Sequence, residues 1–256
     1  MSRPVFRSAT AAEAAVGSAL TLGEDVAGHA VRVRRIGPGE EIDIVDGAGT
    51  RARGTVTAAS PNEVTIDVTA VTNEDSTGPR LVLVQALAKG DRDLQAIETA
   101  TEIGVDEVIP WAAERSIADW PAKKRERMAA KWENLLAAAS LQARRSRFPV
   151  LHDLVRGSSL AQTVGDTDAV FVLHETAQRR LSDALADLAD LAAGDPAQLP
   201  ARIVFVVGPE GGISDGELDA LTGRGALPVC LGPTILRSSS AGSAGLVLAQ
   251  NSLGRW

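Results

Sequence analysis

With 256 residues, 45% of them apolar, the chain is long enough for one large domain or two modest ones and can fill a sizeable core. Its single cysteine, Cys230, excludes an intramolecular disulfide framework and a cysteine-rich zinc site and suits a reducing cytoplasm. The opening MSRPVFRSAT lacks the pattern of a secretory signal and no apolar run approaches about eighteen residues, so a cytoplasmic protein, neither exported nor membrane-spanning, is expected.

The net charge of −7 argues against a nucleic-acid partner when taken as a sum, but the positive charge is gathered. It falls in Arg32, Arg34 and Arg35, in Arg51 and Arg53, in Lys123, Lys124, Arg125, Arg127 and Lys131, and in Arg144, Arg145 and Arg147. Two readings are open: ordinary solvated faces, or local basic surfaces on an acidic body. With no tyrosine and only 3% aromatic residues, an extended platform for stacking bases is not expected.

From Val31 to Val71 the chain runs in short, β-branched, partly alternating segments, EEIDIVD, TRARGTVTAA and NEVTIDVTAV, punctuated by GPGE, DGAG and SPN. This pattern predicts a small antiparallel barrel. The polar stretch Thr72–Arg80 reads as a linker, which divides the chain into residues 1–75 and 76–256.

Beyond it strands alternate with helices: LVLVQALA, a helix from about Asp91 to Ile103, DEVIPW, and a long helix through AKKRERMAAKWENLLAAASLQA. In that helix Met128, Trp132, Leu135 and Ala139 recur at helical spacing, a core-facing stripe. DAVFVL, a helix through RRLSDALADLADLAA, RIVFVV, a helix from Ser214, ALPVCL and a final helix through SAGSAGLVLAQNSL follow. Continuous apolar strands between helices predict an α/β domain with a parallel sheet covered on both faces.

Several chemistries lose support. The chain has no G-x-x-x-x-G-K-[ST], no H-E-x-x-H, no G-x-S-x-G and no C-x-x-C, and its three histidines, His29, His152 and His174, lie far apart. No metal site is expected.

The informative stretch is RIVFVVGPEGGISDGEL, where an apolar strand ends in Gly208-Pro209-Glu210-Gly211-Gly212 and Ser214 and Glu217 stand in capping-box spacing. The glycines either admit a ligand close to the backbone at a strand's carboxyl end or simply make a tight turn. A second loop after ALPVCL, Gly232-Pro233-Thr234-Ile235-Leu236-Arg237, leads into SSSAGSAG, and the two strands are read as neighbours. Arg237 stands at a helix start, where the macrodipole disfavours a cation, so it calls for a carboxylate such as Glu210, a phosphate or a ligand. Cys230 reads as a small buried hydrophobe, since nothing close in sequence would activate it.

VVGPEGGISDGEL followed by LGPTILR resembles the paired C-terminal motifs of the SPOUT methyltransferases, specifically the RsmE family, which methylates N3 of a uridine in 16S ribosomal RNA. AKGDRDLQAIETATEIGVDEVIPWAAERS resembles the segment that opens that family's catalytic domain, and HAVRVRRIGPGEEIDIVDGAG its N-terminal PUA-like barrel. The resemblance implies a PUA-like RNA-binding barrel over 1–75 and a SPOUT domain over 76–256 with a deep C-terminal trefoil knot, an exception to unknotted connection. It also implies a homodimer acting on 16S rRNA or the small ribosomal subunit. S-adenosylmethionine would be held by Leu173, His174 and Glu175, by Gly208, Pro209, Glu210, Gly211 and Gly212, and by Leu231, Gly232, Ile235, Leu236, Arg237 and Ser238.

Two departures stand out. The family's Thr-Glu-Thr-Ala-like run after the arginine is here Ser238-Ser239-Ser240-Ala241, so no acid can be assigned there, and its usual glutamine-lysine pair is Glu98-Thr99. Deprotonating N3 of uridine requires a base and a cation for the developing anion; Glu210 and Arg237 are the candidates. Arg32, Arg34, Arg35, Arg144, Arg145 and Arg147 are the candidates for phosphate contacts. The rivals are a non-catalytic RNA-binding protein that retains the fold and a nucleotide-binding enzyme that uses GPEGG as a phosphate nest.

Overall fold

A computed structural model describes residues 3–74 and 78–256. The chain divides into two compact units, Met1–Ser76 with Ser140–Phe148, and Thr77–Ala139 with Pro149–Trp256. The expected boundary after residue 75 lies outside the described residues.

The first unit holds β1 (Val5–Arg7), β2 (Ala19–Leu22), α1 (Glu24–Ala27), β3 (Glu41–Val45), β4 (Thr50–Ala59) and β5 (Val64–Asn73). They form one sheet in the order β1-β3-β4-β5-β2. The three long segments legible in the sequence are β3, β4 and β5, paired antiparallel. Leu22, Ile42, Ile44 and Ile66 are sealed inside, the inward half of a period-two pattern. Two expectations change. The sheet is not wholly antiparallel, because β1 runs parallel to β3, and both β1 and β2 are too short to carry a readable alternation. Val31 does not begin a strand: Gly28–Val33 is a wide helical turn continuing α1, and Ala30 faces the core from it. Burial of one helical face outweighs the β preference of Val31 and Val33.

The second unit contains β6 (Arg80–Ala86), α2 (Arg92–Ile103), β7 (Glu107–Ala112), β8 (Val150–Leu151), β9 (Val155–Arg156), β10 (Ala169–Leu173), α4 (Leu181–Gly194), β11 (Arg202–Val207), α5 (Asp215–Thr222), β12 (Leu227–Val229) and α6 (Ser238–Ser252). Helix α3 (Arg125–Gln142) belongs to it as far as Ala139. The strands form a parallel sheet in the order β12-β10-β11-β6-β7-β8, with β9 also pairing β7. One face packs Leu81, Leu83 and Phe205 with Ile97, Trp132, Leu185 and Leu246. The other packs Val82, Val84, Val204 and Val206 with Leu160 and Leu221. Both faces are covered, which is why these strands read as unbroken apolar runs.

The small-residue run of α6 has a packing cause. A Cβ on Gly242 would lie 2.6 Å from Cδ1 of Leu83, and one on Gly245 3.1 Å from the Phe205 ring, so the helix lies directly on β6 and β11. One inference about the sheet is corrected: β11 and β12 are not neighbours, because β10 lies between them. Chain order does not set strand order in a parallel sheet, since each crossover can return on either side.

Candidate active site

Strand β10 ends at Leu173 and β12 at Val229, and their following loops are laced together by backbone bonds. The His174 amide donates to the Val229 carbonyl at 2.9 Å, Cys230 N donates to Arg179 O at 2.8 Å, and Leu181 N donates to Cys230 O at 2.9 Å. Between them opens a half-open pocket of about 120 Å³. Of the residues proposed from sequence, Leu173, His174, Glu175, Leu231, Gly232, Ile235 and Leu236 line it, joined by Val229, Cys230, Pro233, Thr234 and Ala241. Cys230 is half-buried on this wall rather than sealed in the core. His174 Nδ1 stands 3.0 Å from the Thr176 hydroxyl, which orients the ring.

Arg237, which is not part of the pocket wall, follows as the N-cap of α6, exposed, and among the described residues it has no carboxylate within ion-pair distance. Ser238 opens the helix with a hydroxyl that is buried and has no partner. Ile235 is 77% exposed, an unusual position for so apolar a side chain.

The Gly208–Gly212 loop is not part of that pocket wall. It leaves β11, which flanks β10 on the side opposite β12, so the two loops rise from the same carboxyl edge two strand intervals, about 10 Å, apart. Its glycines answer to their own packing. A Cβ on Gly208 would sit 2.6 Å from Cγ1 of Ile213, and one on Gly211 2.9 Å from the Arg115 carbonyl; Gly212 takes a left-handed φ of 78°. Glu217 completes the expected capping box with Ser214 and is fully buried. It also accepts from the Glu114 amide at 2.8 Å, tying the loop after β7 to this one, a role its spacing did not reveal.

Glu210 does not pair with Arg237. Its Oε1 lies 3.0 Å from NH1 of Arg92, the first residue of α2. The turn before it is tight: Gly90 and Asp91 are both left-handed, with φ of 72° and 58°, and Lys131 bridges to Asp91 at 3.1 Å. Asp93 in the same turn is buried, and burial pushes its carboxyl above the ordinary range. Arg92 went unread because 118 positions separate it from Glu210. The signal was present, since the helix-start argument applied to Arg237 holds equally for Arg92.

The candidate phosphate contacts differ among themselves. Arg32, Arg34 and Arg35 are exposed, and among the described residues none is ion-paired. Arg144 is exposed, and its carbonyl accepts from Arg51 at 2.8 Å. Arg145 is half-buried. Arg147 donates to the Glu74 carbonyl at 3.0 Å and bridges to Gly47 and Ala48, so it holds a turn of the first unit. Arg51 and Arg53 are matched by Asp43 and Glu74.

The RNA methyltransferase domain family matches residues 75–250, and the RNA methyltransferase PUA domain family matches residues 22–69. The ribosomal RNA small subunit methyltransferase E of Mycobacterium bovis is 36% identical over 94% of this chain and 89% of its own length. The protein of the same name from Bacillus subtilis is 29% identical over 86% of this chain and 84% of its own. A crystal structure of the Neisseria gonorrhoeae ribosomal RNA small subunit methyltransferase E bound to S-adenosyl methionine superposes with a TM-score of 0.82 at 22% identity, covering 98% of both chains; that likeness shows the fold. An α/β domain matched over almost all its length, a PUA-like sheet before it and a relative above 30% identity together make this chain a member of the ribosomal RNA small subunit methyltransferase E family.

Proposed function

We propose that the protein transfers the methyl group of S-adenosylmethionine to N3 of a uridine in the 16S rRNA of the small ribosomal subunit, in the cytoplasm and as a homodimer. The observation that carries this reading is the pocket between the β10 and β12 loops, walled by a mixture of leucines and polar groups such as His174, Glu175 and Thr234, with Arg237, exposed and without an ion pair among the described residues, directly after its last lining stretch. The pocket fits the donor's chemistry. Leu173, Leu231, Ile235 and Leu236 suit a flat apolar base, and the Glu175 carboxylate suits ribose hydroxyls or a cationic centre. When bound, the sulfonium supplies an activated methyl group for in-line displacement.

The chain's own groups do the rest. Arg237 stabilises the negative charge that spreads onto the uracil carbonyls as N3 loses its proton. Glu210, aimed by Arg92, takes that proton at a carboxylate oxygen; the serines at 238–240 offer no acid in its place. Gly208–Gly212 shape the turn that presents Glu210. Arg32, Arg34, Arg35 and Arg144 supply phosphate contacts, and residues 1–75 act as the RNA-binding domain of a catalytic domain over 76–256. The C-terminal trefoil knot is supported by β12 lying beyond β10 while α6 returns over β6 and β11. The homodimer is supported by an apolar groove beside the pocket, lined by Leu231, Leu236, Ala244, Val247 and Leu248. Sedimentation at the mass of a single 26.6 kDa chain would rule it out.

Calorimetry with S-adenosylmethionine should show one saturable site per chain, and mass spectrometry of rRNA from cells with and without the protein should differ by one methyl on a uridine. Absence of donor binding would favour a non-catalytic RNA-binding protein and remove the enzymatic reading.

A further inference from the structure

Between Lys123 and Lys131 the chain places five cations against one acid, Glu126, in a protein whose net charge is −7. The segment is the short turn Ala122–Lys124 and the start of α3, and all five cations are exposed. Among the described residues, Lys123, Lys124, Arg125 and Arg127 have no carboxylate within 4 Å; Lys131 pairs with Asp91. The nearest acid before them in sequence, Asp119, is taken by Arg156 at 2.9 Å.

Local physics does not favour this arrangement. Cations crowd the first turn of an 18-residue helix, where the macrodipole repels them, and they repel one another. The packing that holds α3 lies on its other face, through Trp132 and Leu136, with Trp132 edge-on to buried Trp120 at 5.2 Å. A rigid mount presenting unneutralised charge is built to meet an anion. Its position is equally telling. The Lys131–Asp91 contact puts it beside the turn that carries Arg92, hence beside the ion pair to Glu210.

We infer that Lys123, Lys124, Arg125 and Arg127 form a ridge that grips the phosphate backbone of the substrate RNA next to the catalytic edge, a contact on the catalytic unit separate from the arginines of the first unit. This rests on the reading of RNA as the substrate. The ridge reads no sequence; it positions the target strand. Four point charges spread over a turn and a half of structure suit a run of backbone phosphates better than a single small anion.

The test replaces all four residues by alanine in the full-length protein and measures binding to unmethylated small ribosomal subunits across a salt series. Thermal stability and S-adenosylmethionine affinity should match the wild type. Affinity for the subunit should fall at least ten-fold at physiological salt, and the slope of log K against log salt should flatten by roughly three, close to one per lost phosphate contact. Lys123→Arg with Lys124→Arg should bind as the wild type does. Unchanged affinity and slope in the quadruple variant would overturn the ridge, as would a loss confined to donor binding. A wild type whose binding ignores salt would instead overturn the RNA reading beneath it, and triple replacement of Arg32, Arg34 and Arg35 provides the independent arm for that reading.

Discussion

A guanidinium in the first turn of a helix faces the positive end of the macrodipole, and this chain does it at both Arg92 and Arg237. Arg92 finds its answer in Glu210 at 3.0 Å. Arg237 has no acid of its own among the described residues, and the proposed mechanism gives it the charge that develops on the uracil. Replacing Arg237 by alanine should therefore lower turnover about 100- to 1000-fold, as loss of an anion-stabilising donor does, while donor affinity from calorimetry stays within a few-fold of wild type. Equal turnover in that variant would remove the role. Sequence reasoning named Arg237 as misplaced and offered Glu210 as its acid; the structure gives Glu210 to Arg92 instead, a pairing across 118 positions that local spacing does not reveal.

At the scale of elements, the glycine loop after β11 shows how a correct motif can carry an incomplete cause. Its glycines marked a tight turn at a strand's carboxyl end, and the turn is there. What the spacing could not show is that Gly208 is closed off by Ile213 and Gly211 by the Arg115 carbonyl, so packing within the edge demands glycine before any ligand arrives. Gly208→Ala places a carbon 2.6 Å from buried Ile213 and should destabilise the protein by about 1–3 kcal/mol, the usual range for overpacking. Chemical denaturation measures this directly; a variant as stable as the wild type would show that the turn has slack. Glu217 makes the same point, its capping role legible from Ser214 three positions earlier and its bond to Glu114 visible only in three dimensions.

In the molecule as a whole, the parallel sheet has two unlike edges. The carboxyl edge carries the pocket and the Arg92–Glu210 pair. The amino edge is closed by Arg80, Glu107, His152, Asp168 and Arg202: Glu107 is 2.8 Å from both Arg80 and His152, and Arg202 Nε bonds Asp168 at 3.1 Å. Burial pushes the Asp168 carboxyl up, but hydrogen bonds from Arg202 and the Gly165 amide more than offset it, so its folded value lies below the ordinary range. Its contribution to stability is thus present above the unfolded value of about 3.9 and lost as pH falls through the lower folded one. Asp168→Asn should cost about 1–3 kcal/mol near neutral pH, and the deficit should shrink as the solution is acidified below the unfolded value. A deficit that ignores pH would sink the argument. These edges mark the division between the two levels of information. By itself the sequence determined what depends on near neighbours: alternating strands and helices, the capping box, the glycine turns and the motifs that declare the family, because hydrophobic period and turn chemistry act over a few residues. Only the tertiary structure decided strand order, with β10 between β11 and β12, the partner of Glu210, the structural use of Arg147 and the nakedness of the ridge at Lys123–Arg127. Those depend on which distant segments meet, and residues brought together across a hundred positions leave no mark in local spacing.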